Sequence, residues 1–195
     1  MVLHERTLNV GLGLSCLFWA VAGIMADGWL VVRCSIGALH IVVGLLFLVR
    51  APQVQIGSMD QLLRAVPSLI LSGVAFKLRP AEWPFLWSVI FAAGSVGAIV
   101  SLMTLGRSFA LFPSLRAIVT RGPYRLVRHP VYLFELVMVT ACCLASPSWG
   151  RCLVLGLASV SLIWRVRAEE ALLATSQEYR SYLASTRWRL LPGVW

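Results

Sequence analysis

Six apolar runs, separated by short polar joints, decide most of what this chain can fold into. They cover about Leu8–Met25, Trp29–Val49, Leu62–Phe76, Phe85–Leu105, Val131–Leu144 and Cys152–Trp164. A helix needs roughly 20 apolar residues to cross a bilayer, where the backbone can satisfy its polar groups only internally. Four runs approach that length. The fifth and sixth, at 14 and 13 residues, read as tilted, buried among the others, or continued by less apolar turns. Asp27-Gly28 and Pro147-Ser148-Trp149-Gly150 carry turn residues, so the runs on either side of each are expected to form tight helical hairpins. The expected fold is therefore all-α: a polytopic membrane bundle of five to six spans. Composition agrees, since only 13% of the 195 residues are charged, against about a quarter in soluble domains. The first run has no small-residue cleavage pattern after it and reads as a retained span.

The net charge is +9, and sixteen of the seventeen basic residues are arginine. They gather at the ends of apolar runs, where charge sets topology and meets anionic headgroups, rather than in a nucleic-acid patch. Arg107, Arg116, Arg121, Arg125 and Arg128 lie between the fourth and fifth runs with no acid among them. Arg165, Arg167, Arg180, Arg187 and Arg189 follow the sixth, beside Glu169, Glu170 and Glu178. Positive residues favour the cytoplasm, so both regions and both termini are expected there, with Lys77 and Arg79 as an outer-side exception. The near absence of lysine points to a GC-rich bacterial genome and hence a bacterial inner membrane. The five cysteines form no CxxC pair and read as small core residues. His4, His40 and His129 show no ligand spacing, so no metal is expected.

The most polar stretch, residues 165–184, is rich in Ala, Leu, Glu, Arg and Gln and reads as one cytoplasmic helix covering what lies beneath. Trp188, Leu190, Leu191 and Trp195 continue it as an amphipathic tail at the interface.

Between the fourth and fifth runs stands RGPYRLVRHPVYLFE, residues 121–135. Gly122-Pro123 signals a turn, and Pro130 suits the first position of a helix, with His129 as its cap. Open N–H groups at that start, beside Arg125, Arg128 and His129, would form an anion site. His129, Tyr132 and Glu135 follow at three-residue steps and share one helix face. A carboxylate inside a span costs a few kcal/mol (about 3) and usually faces a partner or a wet cavity. The other acidic candidates, Glu169 and Glu170, are also spaced for ordinary surface pairs with Arg165 and Arg167.

LGRSFA at 105–110, LRAIVTRGPYRLVRHPVY at 115–132 and RAEEALLATSQEYRSYLASTRWRLLP at 167–192 together resemble the isoprenylcysteine carboxyl methyltransferase family. The resemblance rests on the order Gly-Pro-Tyr, Arg-His-Pro-x-Tyr, a later Glu-Glu pair, Tyr-x-x-Tyr and a closing Arg and Pro. It covers roughly the last 90 residues. It implies an integral membrane enzyme using S-adenosylmethionine, with a cofactor pocket at the cytoplasmic end of the last spans. Within a single membrane domain, 1–195, it implies variable N-terminal spans at 1–106 and a catalytic region at 107–195. By the same resemblance, Tyr124, Arg128, His129, Pro130 and Tyr132 contribute to the cofactor pocket, and Glu169 or Glu170 closes it. Arg187 or Arg189 is placed near the reactive group of a lipophilic substrate drawn from the bilayer. One position departs from the family pattern: Phe134 stands where many members carry Gly, either narrowing the pocket or facing lipid.

The chemistry of these residues is compatible with that assignment. Arg128 and His129 suit the cofactor's carboxylate, Glu169, Glu170 or Glu135 its ammonium or ribose hydroxyls, and tyrosine faces its sulfonium. A carboxylate acceptor needs an arginine to orient it, whereas a phenol, amine or thiol must lose a proton to a histidine or glutamate such as Glu135 or Glu170. Two other readings use the same residues: a reductase of the related sterol-reductase type with NADPH, and a bundle without catalysis.

Overall fold

The computed structural model describes residues 2–80 and 82–195, with His4 among the side chains outside the described set. Among the described residues seven α-helices form: α1 (Val2–Met25), α2 (Leu30–Val49), α3 (Met59–Lys77), α4 (Phe85–Leu105), α5 (Pro130–Leu144), α6 (Trp149–Leu173) and α7 (Gln177–Ser185). Among the described residues, four are long and apolar enough to cross a membrane: α1, α2, α4 and α6. α5 is apolar but has 15 residues. α3 is more amphipathic; it opens with a capping box between Ser58 and Gln61 and carries an Asp60–Arg64 pair at 2.9 Å in its first turns.

The sixth run differs from its expected limits. α6 begins at Trp149, where the Ser148 hydroxyl accepts from the Arg151 N–H, and it continues through Leu173 for 25 residues. The expected single helix over 165–184 is thus divided. Its first half is the end of α6, because Arg165, Val166, Ala168 and Leu172 are buried against the bundle and hold the helix on course. The break falls at residues 174–176, where the Thr175 hydroxyl turns back to Leu172 O at 2.7 Å. The tail after α7 is a compact turn, not a helical stripe: Arg189, Leu190 and Leu191 all donate backbone N–H groups to Trp195 O.

α1 packs on α2, α2 on α4, α4 on α5, and α3 and α5 on α6. The first hairpin closes tightly because a Cβ on Gly13 or on Gly44 would lie 3.0 Å from the other's carbonyl oxygen. Small residues at such crossings let helix backbones touch, which matters where lipid removes most of the hydrophobic drive between helices. Phe91, Ala98, Met138, Ala141 and Cys142 fill the seam between α4 and α5. Leu14, Phe18, Trp19, Val96, Leu153 and Trp164 point outward and exposed, as a lipid-facing surface requires.

The six long helices alternate in direction. At one end Arg33 bonds Ile24 O and Arg151 Nε donates to Leu78 O. At the other end Ala51 N donates to Arg107 O, Glu5 lies beside Arg116, and a two-residue ribbon pairs β1 (Gln55–Ile56) with β2 (Ser114–Leu115). The N-terminal end of α1, the 106–129 segment and the C-terminal region therefore share one end of the bundle. That common end is what the arginine distribution required.

Candidate functional site

The shared end opens into a cavity of about 450 Å³, within the range of small-molecule sites. Its deeper wall is apolar, with Ile36, Leu39 and Val43 from α2, Phe76 from α3 and Met138 from α5. α2 and α3 both face this space, yet each makes its main packing with other helices. The upper wall is polar and comes from four segments: Arg116 after β2, Tyr124 and Arg128 in the linking segment, the first turns of α5, and the end of α6.

Pro130 occupies the first position of α5 and His129 its cap, as expected. His129, Tyr132 and Glu135 all line the cavity from one helix face. The His129 and Tyr132 rings lie parallel, with centroids 5.5 Å apart and an interplanar angle of 3°. The Tyr132 hydroxyl donates to Glu169 Oε2 at 2.5 Å, and the Arg165 guanidinium lies over the Tyr132 ring at 4.4 Å. Arg165 is buried deep in α6. It donates to Leu111 O at 2.8 Å and stands 3.6 Å from Glu135 Oε2. Glu135 also accepts from the Ser72 hydroxyl at 2.7 Å. The Glu135 carboxylate thus has a cation and a hydroxyl as partners.

The two adjacent glutamates point in different directions. Glu169 faces the cavity. Glu170 turns away into an ionic knot: Arg128 Nη1 at 2.9 Å, Arg189 Nε at 2.7 Å, and His129 Nε2 and the Tyr179 hydroxyl each at 3.4 Å. Neither surface pair anticipated for them forms. Arg165 is drawn inward to Glu135 and Leu111 O, and Glu169 to Tyr132, because α6 buries this face instead of exposing it.

Several groups of the anion site anticipated at the start of α5 have partners within the protein. Arg128 N donates to Trp188 O at 2.8 Å and His129 N to Arg189 O at 2.9 Å, so the C-terminal tail is tied to the residues just before α5. The Tyr132 and Leu133 N–H groups fold back onto His129 O. The tail supplies carbonyls where an anion had been expected, and Arg128 spends its charge on Glu170. Arg187 and Arg189 do not line the cavity, whereas Arg128 and His129 do. Arg187 is exposed over the Trp188 ring at 5.0 Å, and Arg189 joins Glu170 and the Trp195 ring. Pro130 is buried behind the cavity wall, where it fixes the start of the helix.

α7 covers the polar end. The Tyr182 hydroxyl donates to Tyr124 O at 2.5 Å, Thr186 approaches the same carbonyl at 3.5 Å, and Tyr124, Tyr179 and Tyr182 form one buried aromatic cluster. Burial pushes the Tyr182 phenol up to about 12 and raises those of Tyr124 and Tyr179 further. Reading the sequence singled out none of Ser72, Arg116, Tyr179 or Tyr182 as a cavity residue. Tyr179-x-x-Tyr182 had a visible helical spacing, whereas Ser72 and Arg116 gave no signal beyond their residue type.

Residues 85–180 match the family model described as phospholipid methyltransferase. The resemblance to isoprenylcysteine carboxyl methyltransferases falls inside that family. No curated protein matches the chain. The matched region begins with α4 and ends in the first turn of α7, so it contains most of the polar wall of the cavity, while Tyr182 and the tail that cover it lie beyond. It supports a membrane methyltransferase.

Proposed function

Through residues 85–180 the chain belongs to the phospholipid methyltransferase family, and from that premise we propose that it transfers the methyl group of S-adenosylmethionine to a small lipophilic acceptor. The observation that carries this reading is the Glu169 carboxylate, set in the cavity wall by the Tyr132 hydroxyl at 2.5 Å. The donor set fits the cofactor. Glu169 offers an anion for its ammonium or ribose hydroxyls, the Tyr132, Tyr179 and Tyr182 rings offer π faces for its sulfonium or base, and the cavity is on the scale of a ligand of this size. Bound there, it supplies an electrophilic methyl group.

The chain's own residues contribute position and dryness, which dominate a displacement of this kind. α7 and the tail exclude water, anchored by the Glu170 knot. Arg165 holds Tyr132 from one side and Glu135 from below, so the polar wall is rigid at the membrane edge. Glu135 lies within the same cavity and can accept a proton from an acceptor that must lose one. The deeper apolar wall suits the acceptor's hydrocarbon portion, reached from the bilayer. We place the site on the cytoplasmic face of a bacterial inner membrane, where the arginine-rich end of the bundle belongs.

The test is calorimetric titration of S-adenosylhomocysteine into the detergent-purified protein, beside Glu169→Gln and Tyr132→Phe. Micromolar binding that weakens at least tenfold in Glu169→Gln is expected. A folded, monodisperse sample that binds no S-adenosylhomocysteine, or is stabilised by NADPH alone, overturns the proposal.

A further inference from the structure

Arg116 stands apart from the other buried arginines of the cavity. Among the described residues it leaves two guanidinium nitrogens, Nε and Nη1, without a partner, whereas Arg128 and Arg165 each leave only Nε. Its side chain is 3% exposed and faces the cavity. Its remaining nitrogen, Nη2, reaches Glu5 Oε1 only at 3.5 Å, the outer limit of a hydrogen bond. A buried guanidinium so poorly matched is costly unless something completes it. Its position is fixed from behind, because Ser114 and Leu115 are locked to Ile56 and Gln55 in the ribbon.

The surroundings specify the charge of what is missing. Arg50, whose Nε donates to Asn9 Oδ1 at 2.8 Å, holds its proton less firmly than usual, first through burial and then through the charge of Arg116, while Glu5 opposes both. Two cations thus share Glu5. Arginine keeps its charge when buried, so the place favours an anion over an amine. The wall running down from Arg116 is apolar: Val43 and Phe47 of α2, Leu102 of α4, and Phe109. This wall lines the same cavity as Glu169 and Tyr132 and is built partly from α1 and α2, outside the family match.

We infer that Arg116 receives the oxyanion, carboxylate or phosphate, of an amphiphilic acceptor whose apolar chain lies along α2 and α4. Glu5 is the counter-ion this oxyanion displaces. The inference rests on the methyltransferase reading only in calling the bound amphiphile an acceptor.

Dodecyl phosphate, dodecanol and inorganic phosphate are titrated into the detergent-purified protein by tryptophan fluorescence, with S-adenosylhomocysteine affinity measured on the same samples. The wild type is expected to prefer dodecyl phosphate to dodecanol at least tenfold and to bind inorganic phosphate weakly. Arg116→Gln loses that preference, Arg116→Lys keeps part of it, and Glu5→Gln binds dodecyl phosphate several-fold more tightly. S-adenosylhomocysteine affinity stays within twofold throughout. A preference that survives Arg116→Gln overturns the inference. So does an S-adenosylhomocysteine affinity that falls tenfold in that variant while the preference remains, which assigns Arg116 to the donor's carboxylate. Inorganic phosphate binding as tightly as dodecyl phosphate also overturns it. If Arg116→Gln does not fold, Glu5→Gln decides, and unchanged or weaker binding there overturns it. A preference for dodecyl phosphate without any S-adenosylhomocysteine binding leaves the anion site standing and removes the methyltransferase reading.

Discussion

The Phe134 ring fills the space that a side chain on Gly97 would occupy: a Cβ built there would lie 2.3 Å from the ring. The residue that departs from the family pattern therefore neither narrows the cavity nor faces lipid. It points into the α4–α5 seam, and the glycine it needs is on the neighbouring helix. Two positions 37 residues apart make one packing unit.

That unit predicts a coupled pair of substitutions. Gly97→Val should destabilise the protein by about 1–3 kcal/mol through overpacking. In Phe134→Ala the same valine should cost much less, because the obstructing ring is gone and the effects are not additive. Thermal unfolding in detergent of the two single variants and the double variant reads the coupling. Additive losses would show that the ring and the glycine do not share space.

Glu170 predicts the behaviour of the cover. Its carboxylate ties Arg128, His129, Tyr179 and Arg189 together, so Glu170→Gln leaves four cationic or polar partners facing a neutral amide. Breaking a largely buried ionic cluster from one side costs about 3 kcal/mol. The expected result is release of the C-terminal tail, seen as faster tryptic cleavage after Arg180, Arg187 and Arg189, with the membrane core unchanged. Wild-type cleavage rates would refute the role.

Arg165 and Glu135 should show the asymmetry of buried ion pairs. Arg165→Met alone strands Glu135 with only Ser72, and a loss of about 3 kcal/mol is expected. Adding Glu135→Gln should recover a substantial part of it, since the uncompensated charge is removed. A thermal-shift double-mutant cycle measures the recovery. A double variant no more stable than Arg165→Met would mean that Arg165 acts mainly through Leu111 O and the Tyr132 ring.

Alkali should loosen α7. The Tyr182 phenol ionises near 12 when docked, because burial disfavours its anion, and near 10 when released. The docked form thus holds its proton more firmly. Its stability is complete below about pH 10 and falls as pH rises from there toward 12. Tryptic release of the tail should accelerate over that window. Tyr182→Phe should reduce the pH dependence, leaving the part carried by Tyr179 and Tyr124, while lowering stability at neutral pH through loss of the bond to Tyr124 O. Equal slopes in both proteins would exclude this phenol as the cause.

Long-period patterns in the chain determined the membrane class, the hairpin joints, the start of α5 at Pro130 and the cavity-facing row of His129, Tyr132 and Glu135. Those features depend on apolar length, proline geometry and helical spacing, all of which are local. What an arginine or glutamate pairs with is not local. Glu169 and Glu170 are chemically identical neighbours, yet one faces the cavity and the other anchors the tail, because successive helical positions point about 100° apart and α6 lies between two different surfaces. The cations beside the α5 start were a sound local expectation, and residues 170, 188 and 189, far along the chain, supplied partners for Arg128 and His129. Arg116 was one arginine in a run of five until the ribbon and the first helix enclosed it. Only the tertiary structure decides which charges are completed and which are left facing empty space, because burial and pairing depend on segments far apart in sequence.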